Sequence, residues 1–119
     1  MKVFKFGGAT VKDAEGVRNM ADILKNYTNE PLVVILSAMG KTTNALEKLT
    51  HAYYYNKPDL WDIFQEIKFN HFQVAEELYH KGPKGIQNNL NLIFNELENI
   101  ISYDEDDPPH NRLDRSHDA

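Results

Sequence analysis

The sequence predicts an α/β fold in which a strand–helix–strand unit is followed by a mostly helical segment. Three observations predict it. A short apolar strand over Lys2–Phe6 runs straight into Gly7-Gly8. An unbroken apolar run, "LVVIL" at 32–36, has no alternation and is rich in β-branched residues. That is the pattern of a strand buried on both faces, as in a parallel sheet covered by helices. Elsewhere apolar residues recur at three- and four-residue spacing, the period of an amphipathic helix.

The elements follow in order. After the first strand, Thr10 is a good helix N-cap, and Asp13 three residues on approximates a capping box. Val11, Ala14, Val17, Ala21, Leu24 and Tyr27 then form one apolar helical face, which Gly16 weakens without breaking. "TNEP" at 28–31 closes this helix, and the second strand follows. A parallel pair joined in this way is a βαβ unit with a right-handed crossover. "SAMGKTTN" at 37–44 is a loop leading into a helix with Leu46, Leu49, Ala52 and Tyr53 on one side. Asn56-Lys57-Pro58 interrupts it. A long helix over about 59–80 carries Leu60, Ile63, Phe64, Ile67, Phe72, Ala75, Leu78 and Tyr79. "KGPKG" at 81–85 breaks it, and a last helix carries Ile86, Leu90, Ile93, Phe94, Leu97, Ile100 and Ile101. Residues 103–119 hold two prolines, many charges and one leucine, so they are expected to form a mobile polar tail after an ordered portion at 1–102. Two parallel strands leave the buried-type "LVVIL" short of neighbours. The sequence therefore reads as the front part of a longer α/β domain.

Composition narrows the function. The chain has 119 residues and a net charge of -5. An acidic balance argues against nucleic acid or an anionic membrane as partner. With no cysteine, disulfides and thiolate metal sites are excluded. No segment has the form of a signal peptide, and no apolar run is long enough to span a bilayer. A cytoplasmic location is expected.

Chemistry concentrates in the two loops that follow the two strands. A helix start leaves backbone N–H groups unpaired and its dipole favours an anion. Glycines allow the backbone close to phosphate oxygens. Lys5 adds a positive charge suited to a transferring phosphoryl group. The lysine precedes the glycines, so the spacing is neither that of a P-loop nor that of a dinucleotide-binding turn. A tight strand–helix turn with a surface lysine accounts for the same residues. The second loop offers the hydroxyls of Ser37, Thr42 and Thr43, the flexible Gly40, and Lys41. Both loops leave the carboxyl ends of parallel strands, where α/β sheets bind ligands.

"KFGGATV" at 5–11 closely resembles the K-F-G-G-[TS]-S-V signature of aspartate kinases, in the amino acid kinase family. "VVILSAMGKTTNAL" at 33–46 resembles their second loop, V-V-x-S-A-M-G-x-T-T. The helices that follow resemble the family's helical insertion. The resemblance implies the N-terminal part of an amino acid kinase domain. It implies transfer of the γ-phosphoryl group of ATP, with Mg2+, to the side-chain carboxylate of L-aspartate, the step that opens the route to lysine, threonine and methionine. It implies a catalytic Lys5, with Lys5, Phe6, Gly7, Gly8 and Thr10 at the ATP phosphates, and Ser37 and Thr43 at the substrate. A homo-oligomer is expected for the complete enzyme.

One departure is that Ala9 and Thr10 stand where the family has Thr or Ser and then Ser, so a hydroxyl at position 9 is lost. The family's aspartate-binding glutamate helix, R-G-G-S-D segment, nucleotide-base site and ACT domains are not in this sequence. The chain is therefore expected to be inactive alone. No resident metal site is expected. His110, His117, Asp114 and Asp118, or the acidic run at 104–107, read better as a solvated tail. His51, His71 and His80 read as helix-surface residues, and Tyr53 to Tyr55, Trp61 and Phe64 as packing. The competing reading is a non-catalytic helical interaction module built on the stripes at 60–79 and 86–101, which has no use for the glycine loops.

Overall fold

The computed structural model describes residues 1–79 and 84–103. Its elements are β1 (Lys2–Phe6), α1 (Ala14–Leu24), β2 (Leu32–Leu36), α2 (Thr42–Tyr54), α3 (Leu60–Tyr79) and α4 (Lys84–Tyr103), with a single 3-10 turn at Lys25–Tyr27. The chain divides into two compact units, Met1–Thr43 and Asn44–Ala119. The expected order of elements is present, with mixed α/β composition and a predominance of helix. The expectations for residues 104–119, for His80 and for residues 81–83 lie outside the described residues, while Tyr103, expected in the tail, and Lys84 and Gly85, expected in the breaker, belong to α4.

In the first unit β1 and β2 pair in parallel, with Lys2 opposite Leu32 and Phe6 opposite Leu36. Side chains alternate across a strand. Phe4 and Phe6 therefore share a face, their rings 6.2 Å apart, and Phe4 packs on Tyr27 at 4.8 Å. The Nζ of Lys2 sits 5.5 Å over the same Tyr27 ring. Phe6, Val11 and Ala14 are buried. On the other face Val3, Val33 and Ile35 are exposed, and so are Val34 and Leu36. The sequence of β2 is that of a strand covered on both sides, but the described residues supply it with one neighbouring strand. Its exposure follows.

The helix start differs from the expectation. Asp13, not Thr10, is the N-cap of α1: its backbone is extended and its Oδ1 accepts from the Gly16 N–H at 2.9 Å. The amides of Thr10 and Val11 both donate to the Gly7 carbonyl, at 3.0 and 3.2 Å, so residues 7–11 are a turn. The Cα of Gly16 lies against the Thr10 carbonyl, which leaves no room for a Cβ there. The loop is thus longer than the sequence suggested. The helical stripe is also narrower, since Ala21 is exposed.

The second unit is helical. Leu49, Ala52 and Tyr53 of α2, Leu60, Phe64 and Ile67 of α3, and Phe94 and Ile101 of α4 form its core. Phe64 is fully buried and meets Phe94 edge on, with ring centroids 6.1 Å apart. The end of α2 is closed by backbone. Asn56 is left-handed at φ 52°, the Lys57 N–H donates to the Ala52 carbonyl at 2.9 Å, and the Asn56 N–H reaches Tyr53 at 3.4 Å. This is a Schellman ending, in which an αL residue satisfies the last carbonyls. His51 is exposed against the Tyr55 ring, as expected of a surface residue. His71 is not such a residue: it is half-buried, its Nδ1 lies 2.8 Å from the Ile67 carbonyl, and its ring packs on Phe94. The tyrosines split, with Tyr53 buried and Tyr55 exposed. Ile93 and Ile100, on the predicted stripe of α4, are exposed.

Candidate functional site: two loops at one sheet edge

Every site residue read from the sequence falls in the first unit. Lys5 is the penultimate residue of β1 and lies opposite Ile35. It is exposed on the open face of the sheet, beside Val3, Val33 and Ile35. Phe6 ends the strand and is buried on the covered face, so it anchors the loop rather than lining it. Gly7 is exposed, and a Cβ built on it would meet nothing within 4 Å. The space beside its backbone is open. Thr10 is exposed in the turn that follows.

The second loop lies along the first. The Ser37 N–H donates to the Phe6 carbonyl at 3.0 Å and extends the strand pairing past the end of β2. The Gly40 N–H donates to the Gly8 carbonyl, also at 3.0 Å. These two bonds bring together the segments that hold Lys5, Gly7 and Gly8 on one side and Ser37 and Thr43 on the other. Thr42 is the residue whose hydroxyl closes the turn into α2, donating to the Met39 carbonyl at 2.6 Å. Thr43, one position on, is exposed.

Two features were not legible beforehand. Asp13 holds the helix start, so Thr10 is released from capping. Gly8 is needed for space: its Cβ would lie 2.9 Å from the Gly40 oxygen and 3.1 Å from the Ala38 oxygen. Neither closeness can be read from the sequence of one loop, because each involves the other loop.

The donor set suits an oxyanion. Residues 5–11 and 37–43 contain lysines, hydroxyls and glycine amides and no carboxylate. Such a set binds phosphate oxygens directly and offers no hard-cation ligand of the carboxylate kind. Among the described residues no group of three or more acidic or histidine side chains is placed to hold a metal, and no helix is long and apolar enough to cross a membrane.

Comparison with known proteins finds likenesses to aspartokinases. The chain is 31% identical to chloroplastic aspartokinase 2 of Arabidopsis thaliana over 87% of its own length and 22% of that protein's. It is 38% identical to chloroplastic aspartokinase 1 of the same plant, over 64% of this chain and 14% of that protein. It is 32% identical to a bifunctional aspartokinase/homoserine dehydrogenase of Buchnera aphidicola, over 85% of this chain and 13% of that protein. The chain thus spans less than a quarter of the length of these curated relatives. The model of the amino acid kinase family matches residues 1–97, which takes in both loops, the sheet and most of α4. On this match the chain belongs to the amino acid kinase family.

Proposed function

We propose that this chain forms the phosphate-binding and part of the acceptor-binding site of an aspartate kinase. The protein that carries it would transfer the γ-phosphoryl group of ATP to the side-chain carboxylate of L-aspartate. The observation that carries the reading is the pairing of the two loops, with Gly40 bonded to Gly8 and Ser37 to Phe6 at one sheet edge. The likeness to aspartokinases supports the choice of substrate.

The chemistry follows from the donors. One carboxylate oxygen of aspartate attacks the γ-phosphorus, the bond to the β,γ-bridging oxygen breaks, and ADP leaves with that electron pair. Little covalent work falls to the protein, so catalysis is positioning and charge stabilisation. The amide of Gly7, with open space beside it, would donate to a phosphate oxygen at close range. Lys5, fixed by a paired strand, meets negative charge as it builds on the equatorial oxygens. Ser37 and Thr43 present hydroxyls from the adjoining loop toward the acceptor. Magnesium enters with the nucleotide as MgATP and belongs to the substrate, in keeping with loops that hold no carboxylate. We place the enzyme in the cytoplasm, as a homo-oligomer. The plant relatives are named as chloroplastic.

A second reading, a helical interaction module, draws on the exposed Leu92, Ile93 and Ile100 of α4. Calorimetric titration of the full-length protein with MgATP separates the two. Saturable binding that competes with ADP and weakens in Gly7→Ala is expected for the kinase. Absence of nucleotide binding would leave only the module.

A further inference from the structure

Gly40 and Gly8 meet across the two loops, and each is glycine for a different reason. Gly40 has a φ of +51°, in the left-handed region. A Cβ on it would meet Lys12 at 3.5 to 3.6 Å, an ordinary contact. Room exists, and the backbone conformation is the constraint. At Gly8 the constraint is reversed. Its φ is unexceptional, but a Cβ would be driven against the carbonyl oxygens of Gly40 and Ala38 at 2.9 and 3.1 Å. The Gly40 carbonyl is therefore seated on the Gly8 Cα, while the Gly40 N–H bonds the Gly8 carbonyl at 3.0 Å. The left-handed turn at Gly40 is what lets one residue present both its N–H and its C=O to Gly8.

We propose that Gly40 is a positioning residue whose left-handed turn locks the phosphate loop to the acceptor loop, so that the two substrates are held by one rigid backbone joint. The proposal deepens the kinase reading and rests on it for its functional half. Transfer requires attacking and receiving atoms roughly 3–3.5 Å apart in line. Loops that shifted independently would lose that geometry. The joint lies beyond the last strand pair, at Phe6 and Leu36, where the ladder no longer fixes the chain.

The test compares Gly40→Asn, Gly40→Ala, Gly40→Val and Gly8→Ala. Asparagine adopts the left-handed region readily and a β-branched residue does not. Amide hydrogen exchange in the 119-residue chain reads the joint without any activity, with α3 as the internal control for folding. The reporters are the amides of Ser37 and of residue 40, bonded across the two loops to the Phe6 and Gly8 carbonyls. They are expected to exchange roughly tenfold faster in Gly40→Val, the cost of forcing a side chain into that region. Gly8→Ala should do the same, and Gly40→Asn should stay near the parent rate. If Gly40→Val does not fold, Gly40→Ala must still exchange faster than Gly40→Asn. Unchanged exchange at Ser37 and residue 40 in Gly40→Val, or Ala equal to Asn, would overturn the joint. In the full-length protein Gly40→Ala is expected to raise the KM for both ATP and the acceptor, with Gly40→Asn rescuing both. A rise for the acceptor alone would overturn the coupling. A parent protein with no phosphotransfer would instead defeat the kinase reading and leave the exchange result standing.

Discussion

Lys5 of β1 and Ile35 of β2 are register partners on the open face of a parallel sheet. The lysine is held by strand pairing and flanked by apolar side chains, one residue before the chain turns into Gly7. On the proposed reading, a cation carried on a paired strand meets developing charge with little backbone reorganisation. If the full-length protein is the proposed kinase, Lys5→Ala is expected to lower its kcat by on the order of a hundredfold, as for loss of one preorganised donor. The KM for ATP should change less, because on the same reading the glycine amides would still hold the phosphates. Steady-state kinetics check this. A rise in KM alone would make Lys5 a binding residue.

Gly7 and Gly8 are adjacent and should behave differently. Gly7 faces open space, so Gly7→Ala should leave stability within about 0.5 kcal/mol of the parent, as for an unconstrained surface change. The same methyl group would occupy the approach of a phosphate oxygen, and ATP affinity is expected to fall at least roughly tenfold, or about 1.4 kcal/mol. Urea unfolding and nucleotide titration read the two effects separately. Loss of stability without loss of affinity would mean the space is not a ligand site.

Asp13 caps α1 through its bond to Gly16, and Thr10 does not. Asp13→Ala should destabilise the chain by about 1 kcal/mol, the usual cost of removing a cap. Thr10→Ala should cost much less. Chemical denaturation of both variants tests the assignment, and the reverse order would restore Thr10 as the cap.

Phe64 is fully buried between Trp61 and Phe94, with both rings edge on at 5.6 and 6.1 Å. Phe64→Ala should cost about 3–5 kcal/mol, since it removes buried ring surface and leaves a cavity. Loss of cooperative unfolding, or a helical signal that melts well below that of the parent, is the expected readout. A shift under about 1 kcal/mol would contradict the core described for the helical unit.

Much of this architecture was legible because its signals are local. The unalternating run at 32–36 and the glycines after Phe6 announce a parallel strand pair and its loops. The three- and four-residue spacing from Leu60 to Tyr79 announces α3 to within a residue at each end. What was not legible depends on chain segments far apart in sequence. Thr10 and Asp13 are both competent caps, and the choice between them was made by the Gly7 carbonyl, which claims the Thr10 and Val11 amides. His71 looked like a surface residue because its contact with Phe94 joins two helices. The reason for glycine at position 8 lies in the carbonyls of Ala38 and Gly40. The proposed acceptor rests on motif resemblance, because hydroxyls such as those of Ser37 and Thr43 are compatible with many carboxylate substrates.

The most direct measurement is aspartate-dependent acyl phosphate formation by the purified full-length protein, trapped with hydroxylamine as the hydroxamate. The account predicts hydroxamate that requires both MgATP and L-aspartate and equals the ADP released. It also predicts loss of nearly all of that product in Lys5→Ala at saturating ATP. ADP release that is indifferent to aspartate, or hydroxamate formation undiminished in Lys5→Ala, would contradict it.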